Sequence, residues 1–107
     1  MNISINDQKW TVKLFDDETP EMGSYFDECY LGLTDSIEST INLRRGMSER
    51  LLRSTVIHEL VHAFKFAYGY QLTTEEEVCD FFGAQGDRLI GLTNKICRWV
   101  GLHNPTK

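Results

Sequence analysis

The chain has 107 residues, of which 41% are hydrophobic and 25% are charged. This length supports one domain rather than two, and the composition is that of a globular protein rather than a disordered one. The formal net charge of −5 argues against a nonspecific nucleic-acid binder, which is usually basic, and no apolar run is as long as a membrane helix.

The N-terminal residues and the cysteines indicate the expected compartment. Residues 1–7 lack the basic start and the apolar stretch of a signal peptide. Cys29, Cys79 and Cys97 are widely spaced and form no CxxC pair, which favours reduced thiols that serve as small buried side chains. We therefore expect a cytoplasmic protein.

The first half of the chain has the alternation of polar and apolar residues that is typical of β-strands. Residues 9–15 alternate throughout, and residues 28–33 and 37–43 are two further strand candidates. Residues 34–36 carry turn-forming side chains. Together these segments predict a small antiparallel sheet of about three strands.

The second half begins with a segment that predicts a long helix. Ser48 is the expected N-cap of a helix over residues 49–68, and Gly69 is the expected residue just beyond its C-terminus. Apolar residues cover most of the circumference of this helix, so it should be central and buried.

The residues after Gly69 predict one or two further helices. Thr74 should form a capping box with Glu77 at the start of the next helix. Glycines weaken this helix, which should bend or break near Gly91. The sequence therefore predicts a single α+β domain over residues 1–107, with the small sheet packed on the central helix.

The central helix contains the H-E-x-x-H pattern, as His58-Glu59-Leu60-Val61-His62. Residues four apart lie on one helix face, so both imidazoles can bind the same metal ion. Glu59 is rotated by about 100° from His58, which places its carboxylate beside the ion. The alternative is a core helix whose histidines bond to the backbone, but a carboxylate on so apolar a helix needs a partner.

A catalytic zinc site needs a third protein ligand and an open fourth position. The metzincin extension of the motif would need glycine and histidine where this chain has Lys65 and Tyr68. An E-x-x-x-D spacing is present instead, as Glu76 and Asp80. Glu76 can bind the metal while Asp80, one turn further on, accepts a hydrogen bond from a ligand histidine. Glu77 suits the cap and is the alternative ligand.

These residues resemble those of a known group of peptidases. The H-E-x-x-H motif, Glu76, Asp80 and the following Phe81-Phe82-Gly83 resemble the gluzincin arrangement seen in thermolysin. The resemblance implies a minimal zincin fold, a peptidase activity and one bound zinc ion.

The short chain, the strand over residues 39–43 and the acidic run after Gly69 resemble small bacterial and phage peptidases of the ImmA/IrrE type. This resemblance covers about residues 30–91 and implies a repressor or another regulatory protein as substrate, in the host cytoplasm if a phage encodes the chain. SprT-type peptidases are similar but use a third histidine after the motif, and here none follows His62 until His103.

The expected reaction is hydrolysis of a peptide bond. Zinc would lower the pKa of its bound water and polarise the scissile carbonyl. Glu59 would accept the proton of that water and pass it to the leaving amine. By residue type alone, the candidates for a further donor to the transition-state oxyanion are Tyr68, Tyr70 and His103.

An extended substrate could add to an edge strand beside the site through main-chain hydrogen bonds. The candidate strand contains Ser39, Thr40, Ile41 and Asn42, although an ordinary sheet strand fits the same pattern equally well.

Two other functions remain open for the sequence. A non-catalytic relative could keep the fold and the metal and act as a binding module, such as an antagonist or an antitoxin-like partner. A helical interaction domain could lack the metal altogether. The intact Glu59 favours the enzyme, whose partner is then a protein or peptide substrate. Because so short a chain offers little further surface, an activator or specificity partner could contribute to recognition.

Overall fold

A computed structural model describes residues 1–16 and 31–103 of the chain. Within these residues the protein is α+β, as the sequence predicts. The elements in chain order are β1 (Asn2–Ile5), β2 (Gln8–Phe15), β3 (Gly32–Asp35), β4 (Thr40–Arg44), α1 (Glu49–Tyr68) and α2 (Glu75–Leu102).

The four described strands form one mixed sheet in the order β1-β2-β4-β3. Strands β1 and β2 are antiparallel, as are β3 and β4, whereas β2 and β4 run parallel, with Thr11 opposite Thr40. The predicted small sheet is present, but it has four described strands rather than about three, and the parallel pairing of β2 with β4 makes it mixed rather than antiparallel. Alternation shows which side chains face the core, but it carries no information on the direction of the neighbouring strand.

The turn between β3 and β4 lies later than predicted. The Asp35 carboxylate accepts hydrogen bonds from the main-chain amides of Ile37 and Glu38, which holds residues 36–39 in a turn. Ile37 is consequently 89% exposed and belongs to no strand. The predicted strand over residues 37–43 begins only at Thr40. Of the predicted strand over residues 28–33, residues 28–30 lie outside the described residues, and Gly32 and Leu33 belong to β3.

Helix α1 has the predicted bounds and caps. The Ser48 side chain accepts a hydrogen bond from the Leu51 amide, and Gly69 has the left-handed φ of 77° that favours glycine at a helix end. The helix lies between the sheet and α2, and its fully buried side chains include Leu60 and Phe64. The predicted central position is confirmed, but burial is limited to part of the circumference, since the face with His58, His62 and Phe66 is exposed.

Helix α2 begins with the predicted capping box but has no break. The Thr74 hydroxyl accepts from the Glu77 amide, while the Glu77 carboxylate accepts from the Thr74 amide. The helix continues past Gly91 as far as Leu102, contrary to the expected bend. Tertiary packing outweighs the glycines, because one face of α2 is buried in the core. The buried residues of this face include Phe81, Leu89, Ile96 and Val100.

Neither described helix has the length and hydropathy that a membrane crossing requires. The expected burial of the cysteines is wrong for Cys79, which is exposed, and Cys97 is only partly buried. Cys29 lies outside the described residues.

Candidate functional site

A cleft of about 650 Å³ lies between strand β3 and helix α1. The strand side of its wall is formed by residues 31–34. The helix side includes Leu51, His58, His62 and Phe66, which lie on one face because they recur at helical spacing. The cleft thus brings the histidines of the motif to the outer edge of the described sheet.

His58 and His62 lie side by side at the mouth of this cleft. Their ring centroids are 5.0 Å apart and their planes meet at 71°. Both side chains are exposed, and within the described residues neither ring makes a hydrogen bond. The predicted common face is confirmed, and the alternative of two core histidines bonded to the backbone does not hold.

Glu59 lies deeper in the wall of the same cleft. Only 6% of its surface is exposed, and its Oε1 atom accepts a hydrogen bond of 2.6 Å from the hydroxyl of Thr34 on β3. The buried carboxylate therefore has the polar partner that burial requires. Glu59 and the two histidines of the motif therefore all line the same cleft.

Gly32 allows α1 to approach β3 closely at this point. A β-carbon at position 32 would lie 3.0 Å from Cγ of Glu59 and 3.1 Å from Cγ2 of Thr55. Both distances are shorter than ordinary van der Waals contact, so a side chain here would push the helix and the strand apart. The absence of a side chain at Gly32 thus leaves room for Glu59 in the cleft wall.

Glu76 and Asp80 are not brought to the histidine pair. Both are exposed on the first turns of α2, and among the described residues no group of three or more His, Cys, Asp or Glu side chains is arranged to hold a metal ion. The physical reason is the packing of α2, since the ring of Phe81 meets that of Phe64 on α1. Phe64 is about 200° round the helix from His62, so α2 covers the opposite side of α1.

Glu77, the alternative ligand, is engaged in the cap of α2. Its carboxylate accepts hydrogen bonds from the hydroxyl and amide of Thr73 and from the amide of Thr74. The hydrogen bond from the Thr73 hydroxyl is the main reason that the pKa of Glu77 lies below its ordinary value of 4.5. Glu76, by contrast, makes no hydrogen bond or ion pair within the part of the chain that the structure describes.

The three candidate oxyanion donors do not line the cleft. The hydroxyl of Tyr68 accepts a hydrogen bond from Arg88, and that of Tyr70 accepts one from Gln85, so both are directed toward α2. His103 lies at the C-terminal end of α2, where its ring contacts Trp99. Residue type suggested these donors, but the packing of α2 places them away from the histidine pair.

The candidate substrate edge, Ser39 to Asn42, is wrong, because it belongs to the interior of the sheet. Strand β4 lies between β2 and β3, and the main chain of Ser39 already accepts a hydrogen bond from Thr11. The outer strand beside α1 in the described sheet is β3.

Thr34 and Gly32 are the site residues that the sequence reasoning missed. Their spacing of two places both on the β3 face that meets Glu59. Residue 34 carried a turn signal instead, and nothing local in the sequence connects either position to Glu59, which lies 25 residues after Thr34 and further still from Gly32.

Comparison with known proteins gives no assignment, since no family model, no curated protein and no solved structure matches the chain.

Proposed function

We propose that this protein is a zinc-dependent metalloendopeptidase that acts on a regulatory protein. The observation that carries the proposal is the exposed pair of imidazoles, 5.0 Å apart, with the carboxylate of Glu59 in the wall of the same cleft. Two nitrogen ligands and a proton acceptor are part of what metal-assisted hydrolysis requires of a protein, together with a third protein ligand and an open coordination position.

In this proposal His58 and His62 bind one zinc ion through their ring nitrogens, which have no competing hydrogen bond within the described residues. The E-x-x-x-D spacing supports Glu76 as the third ligand, since the carboxylate of Glu77 serves the cap. Because α2 packs on the opposite side of α1 from the histidines, the proposal requires the first turn of α2 to change its position when the metal binds. Bound zinc would supply an activated water molecule and polarise the scissile carbonyl.

Glu59 performs the proton transfer in this reaction. Its carboxylate takes a proton from the attacking water and delivers it to the amine of the leaving peptide. Because the carboxylate is held in the cleft wall, less conformational entropy is lost when it adopts the geometry for proton transfer.

The substrate would lie in the cleft in an extended conformation. Among the described residues no further strand pairs with the outer edge of β3, so main-chain hydrogen bonds at this edge could hold the segment alongside the histidines. This assigns to β3 the role that the sequence suggested for β4. A cytoplasmic location and an additional specificity partner belong to the same proposal.

A Glu59→Gln variant tests the reaction. Wild type and variant are produced in cells, and their cleavage products are compared by proteomics. We expect the variant to keep its zinc and to lose at least about 100-fold in cleavage, because removing a positioned general base has effects of that size. A Glu75→Gln variant, changed on the exposed first turn of α2, should cleave like wild type.

The alternative is a binding module that keeps the metal and lacks catalysis. It is favoured by the burial of Glu59 and its bond to Thr34, a contact that also serves a purely structural carboxylate. Identical sets of protein fragments from wild type and Glu59→Gln, in protein that contains zinc, would support the binding module and contradict the peptidase.

A further inference from the structure

The hydroxyl of Thr34 makes two contacts with the same residue of α1. It lies 2.6 Å from Oε1 of Glu59 and 3.1 Å from the main-chain oxygen of Glu59. A hydroxyl has one hydrogen, and the shorter distance is typical of an O–H group that donates to a carboxylate. Thr34 therefore donates mainly to the side chain of Glu59.

The two oxygens of the Glu59 carboxylate have different surroundings. Oε1 is held by Thr34, whereas Oε2 has no hydrogen-bond partner within the described residues. Oε2 is also not one of the fully buried side-chain polar atoms that lack a hydrogen bond in this part of the chain. Solvent can therefore reach Oε2, and the cleft that Glu59 lines is the route to it.

The backbone of β3 fixes this arrangement. Gly32 and Thr34 lie on the same strand face because side chains two apart point to the same side. Gly32 makes room for the stem of Glu59, and Thr34 holds its end. Strand β3 is itself paired with β4 through Leu33 and Thr34, so the hydroxyl is attached to a paired strand rather than to a free loop.

We propose that Thr34 is a positioning residue for Glu59, which binds one carboxylate oxygen and leaves the other directed into the cleft for proton transfer. This inference rests on the proposed peptidase function. The proposed site then includes strand β3. This strand carries both Thr34, which orients Glu59, and the edge that would bind the substrate.

The test compares Thr34→Val, which keeps the shape and removes the hydroxyl, with Thr34→Ser, which keeps the hydroxyl. The probe is a quenched fluorescent peptide that zinc-loaded wild type selects from a mixed-sequence library. Because a hydrogen bond to a charged group is lost, we expect kcat of Thr34→Val to fall by about 10- to 100-fold. We expect KM to change by less than about threefold, and Thr34→Ser to stay within about threefold of wild type.

Thr93→Val is the matched control, because the buried Thr93 hydroxyl bonds to a carbonyl within α2, and this residue does not line the cleft. It should retain the kcat of wild type. Zinc content and melting temperature are measured for every variant, and Thr34→Ala replaces Thr34→Val in the comparison if the valine variant unfolds.

Active wild type with equal kcat in Thr34→Val and Thr34→Ser would overturn the positioning role and leave the peptidase intact. A loss in Thr34→Val that the serine variant does not restore would also overturn it, since shape rather than the hydroxyl would then be responsible. Wild type that binds zinc but cleaves nothing, in the library or in cells, would remove the peptidase function and this role with it.

Discussion

The cleft and the first turn of α2 both contain glutamates that the sequence connects with a metal site, yet they differ in what holds the carboxylates. Glu59 is buried, and its partner Thr34 comes from a strand that is distant in the sequence. Glu77 is held by its immediate neighbours Thr73 and Thr74, and Glu76 is exposed. Long-range packing therefore specifies the position of one acidic group, whereas local capping specifies the other.

The difference shows why two spacing patterns that both predict metal ligands need not both bring their side chains together in the fold. The helical spacing of His58 and His62 guarantees that they share a face wherever α1 packs. Glu76 would have to reach the histidines from α2. The placement of α2 against α1 is set by aromatic contacts such as that of Phe64 with Phe81. The histidine pair is thus formed by one helix, whereas the proposed third ligand would come from a second helix.

The largest expected effect is the loss of bound zinc when a ligand is removed. Purified His58→Ala should bind less than about a tenth of the zinc of wild type, and Glu76→Ala should also bind more weakly, because each removes one of the three proposed ligands. Zinc should raise the stability of wild type by about 2.7 kcal/mol when its free concentration is 100 times Kd. Metal analysis and melting with and without a chelator measure both effects.

The controls for this prediction come from the same elements. His103→Ala changes a histidine at the far end of α2, and Glu75→Ala changes the neighbour of Glu76 on the same exposed turn. Both should keep the zinc content of wild type. If Glu76→Ala and Glu75→Ala bind zinc equally, Glu76 is not the third ligand; if chelation leaves the wild-type melting temperature unchanged, the chain holds no stabilising metal.

The next effect concerns the close approach of β3 and α1. Gly32→Ala should lower the free energy of unfolding by about 1–3 kcal/mol, because the new methyl group would press on the stem of Glu59 and on Thr55. Urea titration followed by circular dichroism measures the change.

Gly83→Ala is the matched control and should have the opposite sign. A β-carbon at Gly83 would meet no atom within 4 Å, and the residue lies within α2. Replacing glycine by alanine inside a helix stabilises it by about 0.5–1 kcal/mol. A Gly32→Ala protein as stable as wild type would show that β3 and α1 are not in tight contact at the cleft.

The parts of the fold that the sequence predicts well are those with local signals. Ser48, Gly69 and Thr74 mark helix ends through hydrogen bonds to residues within four positions, and all three are found in those roles. The break near Gly91 is absent because the opposite face of α2 is buried, which is a tertiary effect that helix propensity does not contain.

The sheet and the cleft wall were harder to predict because they depend on contacts between distant residues. Strand β1 has only four residues, and the parallel pairing of β2 with β4 leaves no trace in their alternation. The contacts of Gly32 and Thr34 with Glu59 likewise connect positions that no spacing rule relates. The histidine pair was predictable because a single helix forms it, and the strand residues that complete the cleft were not.

The smallest expected effect concerns the cap of α2 and its dependence on pH. Hydrogen bonds from Thr73, and then from Thr74, hold the pKa of Glu77 below its ordinary value of 4.5. A carboxyl group whose pKa is lower in the folded protein stabilises the fold above the pKa of the unfolded chain, and this contribution is lost as the pH falls through the folded pKa. Stability should therefore decline from about pH 5 downward, and less so in Glu77→Gln.

Free energies of unfolding at pH 7 and pH 3, measured with a chelator present so that release of metal from the histidines does not contribute, check this expectation. Glutamine can still accept from the Thr73 and Thr74 amides, so Glu77→Gln should differ little from wild type at pH 7. Glu75→Gln should keep more of the acid dependence of wild type, because the Glu75 side chain makes no hydrogen bond within the described residues. If Glu75→Gln and Glu77→Gln lose this acid dependence equally, the charge of the whole first turn stabilises the start of α2, rather than the specific hydrogen bonds of Glu77.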